Sequence, residues 1–216
     1  MRLRNIPAAR GALESSGYVI KNPGDFRGVW RGAYEGICAD TPLMIEIGMG
    51  KGRFLLELSQ RHPDSCYIGM EYQSSVLYRG LQKLEKDPRT NVLLLREDAA
   101  RLPEIFAPGE LDGIYLNFSD PWPKEKHEKR RLTSGVFLSI YEVVLKTGGF
   151  LEFKTDNRGF FDYSVSSINA SGWEIAELTY DLHGHRTQAQ GNILTEYEEK
   201  FSLAGHPICK ISAVRP

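Results

Sequence analysis

Leu43-Met44-Ile45-Glu46-Ile47-Gly48-Met49-Gly50-Lys51-Gly52 is the stretch that decides the fold. Its apolar residues Leu43, Met44, Ile45 and Ile47 read as a short buried strand, interrupted by Glu46 near its end. Glycines then stand at every second position, and Arg53-Phe54-Leu55-Leu56-Glu57-Leu58 opens a helical pattern. Strand, glycine turn and helix N-terminus form a cradle for a nucleoside-containing ligand. Gly48 and Gly50 let the backbone turn tightly and touch that ligand, where a Cβ would intervene. A dinucleotide fingerprint, G-x-G-x-x-G, needs its third glycine at position 53, which is Arg53. The pattern here is G-x-G-x-G, preceded by the Glu46 carboxylate. An acid in that place repels a pyrophosphate and suits a cationic ligand with an amino group and a sulfonium, as in S-adenosyl-L-methionine. The glycines by themselves admit this cofactor, a dinucleotide or a purely structural turn.

Outward from this stretch, strands alternate with helices. Cys66–Met70, Asn91–Leu95, Leu111–Asn117 and Phe150–Lys154 read as further strands. Helices are expected over 74–86, 100–106, 132–146 (stopped by Gly148-Gly149) and 158–170. Trp173–Asp181 and Glu199–Leu203 read as the last strands. The expectation is an α/β fold: a doubly wound, mostly parallel, seven-stranded Rossmann-like sheet with an antiparallel edge. Residues 41–216 would form this domain and 1–40 an N-terminal arm, basic at its tip (Arg2, Arg4, Arg10) and anchored by Tyr18, Phe26, Trp30 and Tyr34.

With 27 Lys and Arg against 28 Asp and Glu, the net charge of −1 gives no global sign of a polyanionic partner, so RNA would have to meet a local patch. Three scattered cysteines without C-x-x-C suggest reduced thiols. No signal-peptide core and no membrane-length apolar run is present, so the chain reads as cytoplasmic. His183, His185, His206 and Cys209 match no zinc spacing, and no metal is expected.

Ligands of such a sheet sit beyond the carboxyl ends of its strands. Strand one ends with Glu46 and the glycines, strand two at Glu71, strand three near Asp98, and strand four at Asp120. Glu71 follows Gly48 by 23 residues, where an acid bridges two ribose hydroxyls. Asp98 and the Ala99 amide suit the edge of an adenine, and Glu46 suits an ammonium. A single acid after a strand often only caps the next helix; four in phase with the glycines read as one crevice. Beyond strand four, Pro121 and Pro123 stiffen a loop that holds Asp120 and Trp122. The run Lys124–Arg131 then carries five Lys or Arg against two Glu, beside the expected reaction centre. This reads as a phosphate-binding patch, with Trp122 either stacking on a base or packing under the loop.

Five motifs together resemble the bacterial tRNA (guanine-N7-)-methyltransferase family over about residues 40–205. They are Glu46–Gly52, Gly69-Met70-Glu71, Asn117–Lys124 with His127–Arg131, Phe153–Asn157, and Thr195–Phe201. Glu125 departs from the family pattern, where another base often stands. The resemblance implies S-adenosyl-L-methionine as cofactor, held by Glu46, Gly48, Gly50, Glu71, Asp98, Ala99 and Asp120, with Asp120 also catalytic. It implies that Lys124, Asp156, Thr195, Glu196, Tyr197 and Glu198 meet the target nucleotide. Lys126, His127, Lys129, Arg130 and Arg131 would meet tRNA, with methyl transfer to N7 of a guanine in the variable loop. A small-molecule methyltransferase and a non-catalytic RNA-binding protein remain alternatives, and monomer and homodimer both remain open.

Overall fold

The computed structural model describes residues 5–36, 38–184 and 189–216. Arg2, Arg4 and His185 lie outside the described residues. Among the described residues seven strands form one sheet: β1 (Leu43–Ile47), β2 (Cys66–Met70), β3 (Val92–Leu95), β4 (Leu111–Asn117), β5 (Leu145–Thr155), β6 (Glu174–Thr179) and β7 (Cys209–Val214). Their order is β3-β2-β1-β4-β5-β7-β6. The first five pair in parallel, whereas β7 runs antiparallel to both β5 and β6. The helices are α1 (Ala9–Ser15), α2 (Arg53–Arg61), α3 (Ser74–Lys86), α4 (Leu102–Ile105), α5 (Gly135–Val144), α6 (Arg158–Ala170) and α7 (Glu196–Leu203).

Strand β1 is buried along its whole length because helices cover both faces of the sheet. Its odd residues Leu43, Ile45 and Ile47 pack with Leu116, Phe137 and Tyr141, while Met44 packs with Phe54, Leu55, Leu77 and Leu81. Alternation therefore puts Glu46 on the Met44 side, toward α2. Because β1 lies between β2 and β4, chain order reverses around it, which opens a crevice beyond its carboxyl end.

Glu199–Leu203, expected as a strand, is helical, and the final strand is Cys209–Val214. The Thr195 hydroxyl accepts from the Glu198 amide, and Glu196, Glu198 and Glu199 lie in the first turn of α7, where the helix dipole favours anions. β5 begins at Leu145 and runs through Gly148-Gly149, so the helix before it ends at Val144.

The N-terminal segment packs closely on the sheet. Val19 bridges to Leu94 at the β3 edge, and α1 lies against α3. Trp30 is 0% exposed, with its ring centroid 5.1 Å from that of Phe106 and its indole N–H donating to the Ile105 carbonyl at 2.9 Å. Glu110 holds the same segment by accepting from the amides of Gly28 and Trp30. Trp30→Ala should cost about 3–5 kcal/mol in chemical denaturation; a loss below about 1 kcal/mol would mean this segment contributes little to the core.

Candidate active site

The glycine turn after β1 is built on backbone conformation. Gly48, Gly50 and Gly52 have φ of +76°, +58° and +75°, a region that side chains with a Cβ avoid. The amides of Gly48 and Met49 donate to the Met70 carbonyl at 2.8 and 3.0 Å, which fastens the turn to the end of β2. Met49 is buried and packs against two more glycines. A Cβ on Gly69 would lie 2.2 Å from its sulfur, and one on Gly80 2.7 Å from its methyl. Gly69 and Gly80 thus seat the turn, a role that their strand and helix patterns concealed.

Glu46 is 2% exposed. Its Oε1 accepts from Asn117 Nδ2 at 2.9 Å, across from β1 to β4. Its Oε2 is buried and, among the described residues, has no hydrogen-bond partner. Burial pushes the carboxyl up to about 8, opposed by the Asn117 hydrogen bond and the Lys154 charge and reinforced by Glu71. A cavity of about 460 Å³ lies over this group, lined also by the glycine turn, Asn117, Phe118 and the Thr195–Tyr197 segment. A second, of about 440 Å³, is lined by Gly48, Glu71, Asp98, Ala99, Trp122, Lys129 and Arg130, among others. Gly48 borders both, so the two adjoin at the glycine turn.

Glu71 accepts from the Gly50 amide at 3.3 Å and the Gln73 amide at 2.9 Å. Burial raises its carboxyl, and Asp120 adds to the rise. Asp98 caps the turn Ala99–Arg101 by accepting from the Ala100 amide through Oδ1, so the capping role holds for that oxygen. Asp120 is exposed and lines neither cavity; it stands at the rim, near enough to act on Glu71. A larger hollow of about 700 Å³, lined by residues of α2, α3 and the turn after α3, includes no strand-end residue.

The loop after β4 is strained where it meets the crevice. Phe118 and Trp122 have φ of +53° and +41°, costing about 1–3 kcal/mol each. Phe118 is held by donation of its amide to the Lys154 carbonyl at 2.9 Å. Arg131 pins the far side, donating to the carbonyls of Pro121 and Trp122 at 3.0 and 3.2 Å with its guanidinium 4.2 Å from the Tyr163 ring centroid. Its fork is thereby committed to the loop. Trp122 is half-buried, with His127 edge-on at 5.6 Å and the Arg130 guanidinium at 5.1 Å. Lys124, Lys126, Lys129 and Arg130 are exposed, and Lys129 and Arg130 reach the lining of the crevice.

Helix α7 lies over the glycine turn. Glu196 pairs with Lys51 at 3.0 Å and with Lys83, and Arg53 pairs with Glu199. Tyr197 stacks on Phe201 at 4.1 Å, lies 4.9 Å from Phe118 and donates to Asp156 Oδ2 at 3.3 Å. Thr195 and Glu198 differ from their neighbours. The Thr195 hydroxyl is the helix cap. Glu198 is 0% exposed and turned inward, held by Lys154 Nζ at 2.9 Å, Asn192 Nδ2 at 2.7 Å and His183 Nε2 at 3.2 Å. Among the described residues no cluster of three or more His, Cys, Asp or Glu could hold a metal ion, and no helix is long and apolar enough to cross a membrane.

S-adenosyl-L-methionine fits this donor set: a buried, half-satisfied carboxylate suits its ammonium, and the Glu71 and Asp98 carboxylates suit its nucleoside. Sheet order, glycine turn and strand-end acids define an S-adenosyl-L-methionine-dependent methyltransferase. A family model described as "Putative methyltransferase" matches residues 40–211. A tRNA (guanine-N(7)-)-methyltransferase of Lachnoclostridium phytofermentans is 48% identical over 215 residues, covering 100% of this chain and 99% of that protein. One of Enterococcus faecalis is 48% identical over 214 residues, covering 99% and 98%. The solved structure of the 16S rRNA methyltransferase KamB matches with a TM-score of 0.62 at 14% identity, covering 86% of this chain and 91% of that one. The chain belongs to the bacterial tRNA (guanine-N7-)-methyltransferase family.

Proposed function

We infer that this chain transfers a methyl group from S-adenosyl-L-methionine to N7 of a guanine in tRNA. The observation that carries the reading is Glu46: a buried carboxylate with one free oxygen, under a crevice whose other end is bordered by Lys129 and Arg130. In this assignment Glu46 takes the donor's ammonium, Glu71 its ribose hydroxyls, and Asp98 with the Ala99 amide its adenine. Gly48 and Gly50 leave the backbone bare where the donor lies.

Bound S-adenosyl-L-methionine supplies a methyl group made electrophilic by a sulfonium. Guanine N7 offers an in-plane lone pair and carries no proton, so this chain needs no general base. Its contribution is orientation, from which about 7–11 kcal/mol can come, and anionic surroundings for a purine that becomes cationic. Asp120 and Asp156 orient the guanine through its N1 and exocyclic N–H groups, and Lys124 meets O6 or a phosphate. Tyr197, 42% exposed beside Phe118, offers a ring for the base. Glu196 lines the donor's cavity from α7, and Thr195 and Glu198 serve the nucleotide by shaping that helix.

Lys126, Lys129 and Arg130 bind phosphates, while His127 and Arg131 hold Trp122 and its loop. Replacing Lys126, Lys129 and Arg130 by Gln should weaken tRNA binding and lower the slope of log K against log salt by about 2–3. An unchanged slope would make this run ordinary solvated surface. The function is tested by incubating the protein with methyl-labelled S-adenosyl-L-methionine and unmodified tRNA. Label that enters RNA and is released by ribonuclease supports the reading. Label that enters only small molecules, or none, contradicts it.

A further inference from the structure

Lys154 lies in β5 and is 0% exposed, a buried charge that its motif does not explain. Its ammonium carries three N–H donors, and the structure fills all three from one segment: Glu198 Oε2 at 2.9 Å, the Ile193 carbonyl at 2.9 Å and Asn192 Oδ1 at 3.1 Å. The ammonium also sits 5.0 Å from the Phe54 ring centroid, in the first turn of α2. Asn192 closes the cluster by donating to the second oxygen of Glu198 at 2.7 Å. Every other polar tie of α7 to the glycine turn and its helices (Glu196 to Lys51 and Lys83, Glu199 to Arg53) is solvent-exposed and hence weak.

We propose that Lys154 is a positioning residue for methyl transfer: by bolting Glu198 to the sheet, it fixes α7 as the roof of the methyl-donor cavity. The inference rests on the methyl-donor site assigned above. The roof is the Thr195–Tyr197 turn with Phe201, which lines the same cavity as Glu46. Lys51, between two cavity glycines, is tied to Glu196, so a displaced α7 releases the glycine turn as well. Tyr197 links the same helix to Phe118 and Asp156 on the guanine side. One buried ammonium therefore sets both halves of the site without lining either cavity.

The floor feels the same charge. Glu46 is faced by Asn117 from β4, Lys154 from β5, Glu71 from just beyond β2 and the Leu55 backbone from α2, and among the described residues Lys154 is the cation that favours its ionised form. Loss of Lys154 thus weakens donor binding twice, by freeing the roof and by making Glu46 harder to ionise.

The test compares wild type, Lys154→Met and the double variant Lys154→Met/Glu198→Met. Removing one partner strands a buried charge, so the single variant can fail to fold; removing both leaves an apolar pair that such sites tolerate. Binding of S-adenosyl-L-homocysteine is followed by calorimetry, melting by differential scanning calorimetry, and amide exchange across 189–203 in the ligand-free protein. For the double variant we expect a melting temperature near that of wild type, exchange in 189–203 at least tenfold faster, and affinity at least tenfold weaker. Wild-type exchange in 189–203 would overturn the proposal, whatever the protein's substrate. So would wild-type affinity with fast exchange, because the roof would then not matter to the donor site. A wild-type protein that binds no S-adenosyl-L-homocysteine would instead contradict the methyl-donor reading.

Discussion

Asp120→Ala should lower kcat/KM for tRNA by about 10²–10³, the effect of removing one preorganised group that stabilises a transition state. Stability should stay within about 0.5 kcal/mol, because Asp120 is exposed and, among the described residues, makes no ion pair. The loop that carries it is stiffened by Pro121 and Pro123 and fixed by Arg131, so the backbone sets where the carboxylate stands. Affinity for S-adenosyl-L-methionine, measured by calorimetry, should change by less than about tenfold, since Asp120 touches the donor's site only through its field on Glu71. Activity near that of wild type in a folded Asp120→Ala protein would remove Asp120 from the mechanism.

Glu46→Gln should show a different signature, set by pH. With its carboxyl at about 8, Glu46 is mostly protonated at pH 6 in the ligand-free protein, and an ammonium ligand binds the ionised form. Affinity for S-adenosyl-L-methionine should therefore rise with pH, by up to about tenfold per unit, and level off above about 8. Binding below that pH should release a proton, seen as a buffer-dependent heat. The stability of the ligand-free protein runs the other way. The unfolded chain loses this proton near the ordinary carboxylate value and the folded chain near 8, so between those limits the folded state binds more protons and stability falls as pH rises. Glu46→Gln keeps an acceptor for Asn117 and removes the contribution of Glu46 to both trends, leaving the smaller one that Glu71 makes to stability. At pH 8.5 it should weaken donor binding by roughly 10²–10³-fold, corresponding to about 3–4 kcal/mol for a broken buried ion pair. Affinity and melting temperature that stay flat with pH in wild type would mean that Glu46 does not sit beneath the ammonium.

Local signals in the sequence were sufficient for much of this fold. The strands Cys66–Met70 and Leu111–Asn117 and the helices 74–86 and 158–170 were legible to the residue, because apolar periodicity and flanking turns agree there. That the glycine turn and the acids at the ends of β1, β2 and β3 share one edge of the sheet was legible, since chain order in a parallel sheet fixes where strand ends lie. Helix α7 departs from the strand expected over Glu199–Leu203: Thr195, three glutamates and the Tyr197–Phe201 spacing all mark a helix, whereas its short apolar content resembles an edge strand. Lys154 and Glu198 were opaque for a different reason. Their partnership spans 44 residues of chain, and a charged residue in a strand carries no period that reveals its partner. Asn117 and Met49 were likewise invisible, since each acts through a contact that only the assembled sheet creates.

The central claim is that strand-end carboxylates present a cationic methyl donor to guanine N7 of an RNA held by the adjoining cations. Its most direct measurement is nucleoside analysis of unmodified tRNA after incubation with the protein and labelled S-adenosyl-L-methionine. The account predicts label in 7-methylguanosine and in no other nucleoside. Label in a different methylated nucleoside, or an unlabelled digest from a protein that binds the donor, would contradict it.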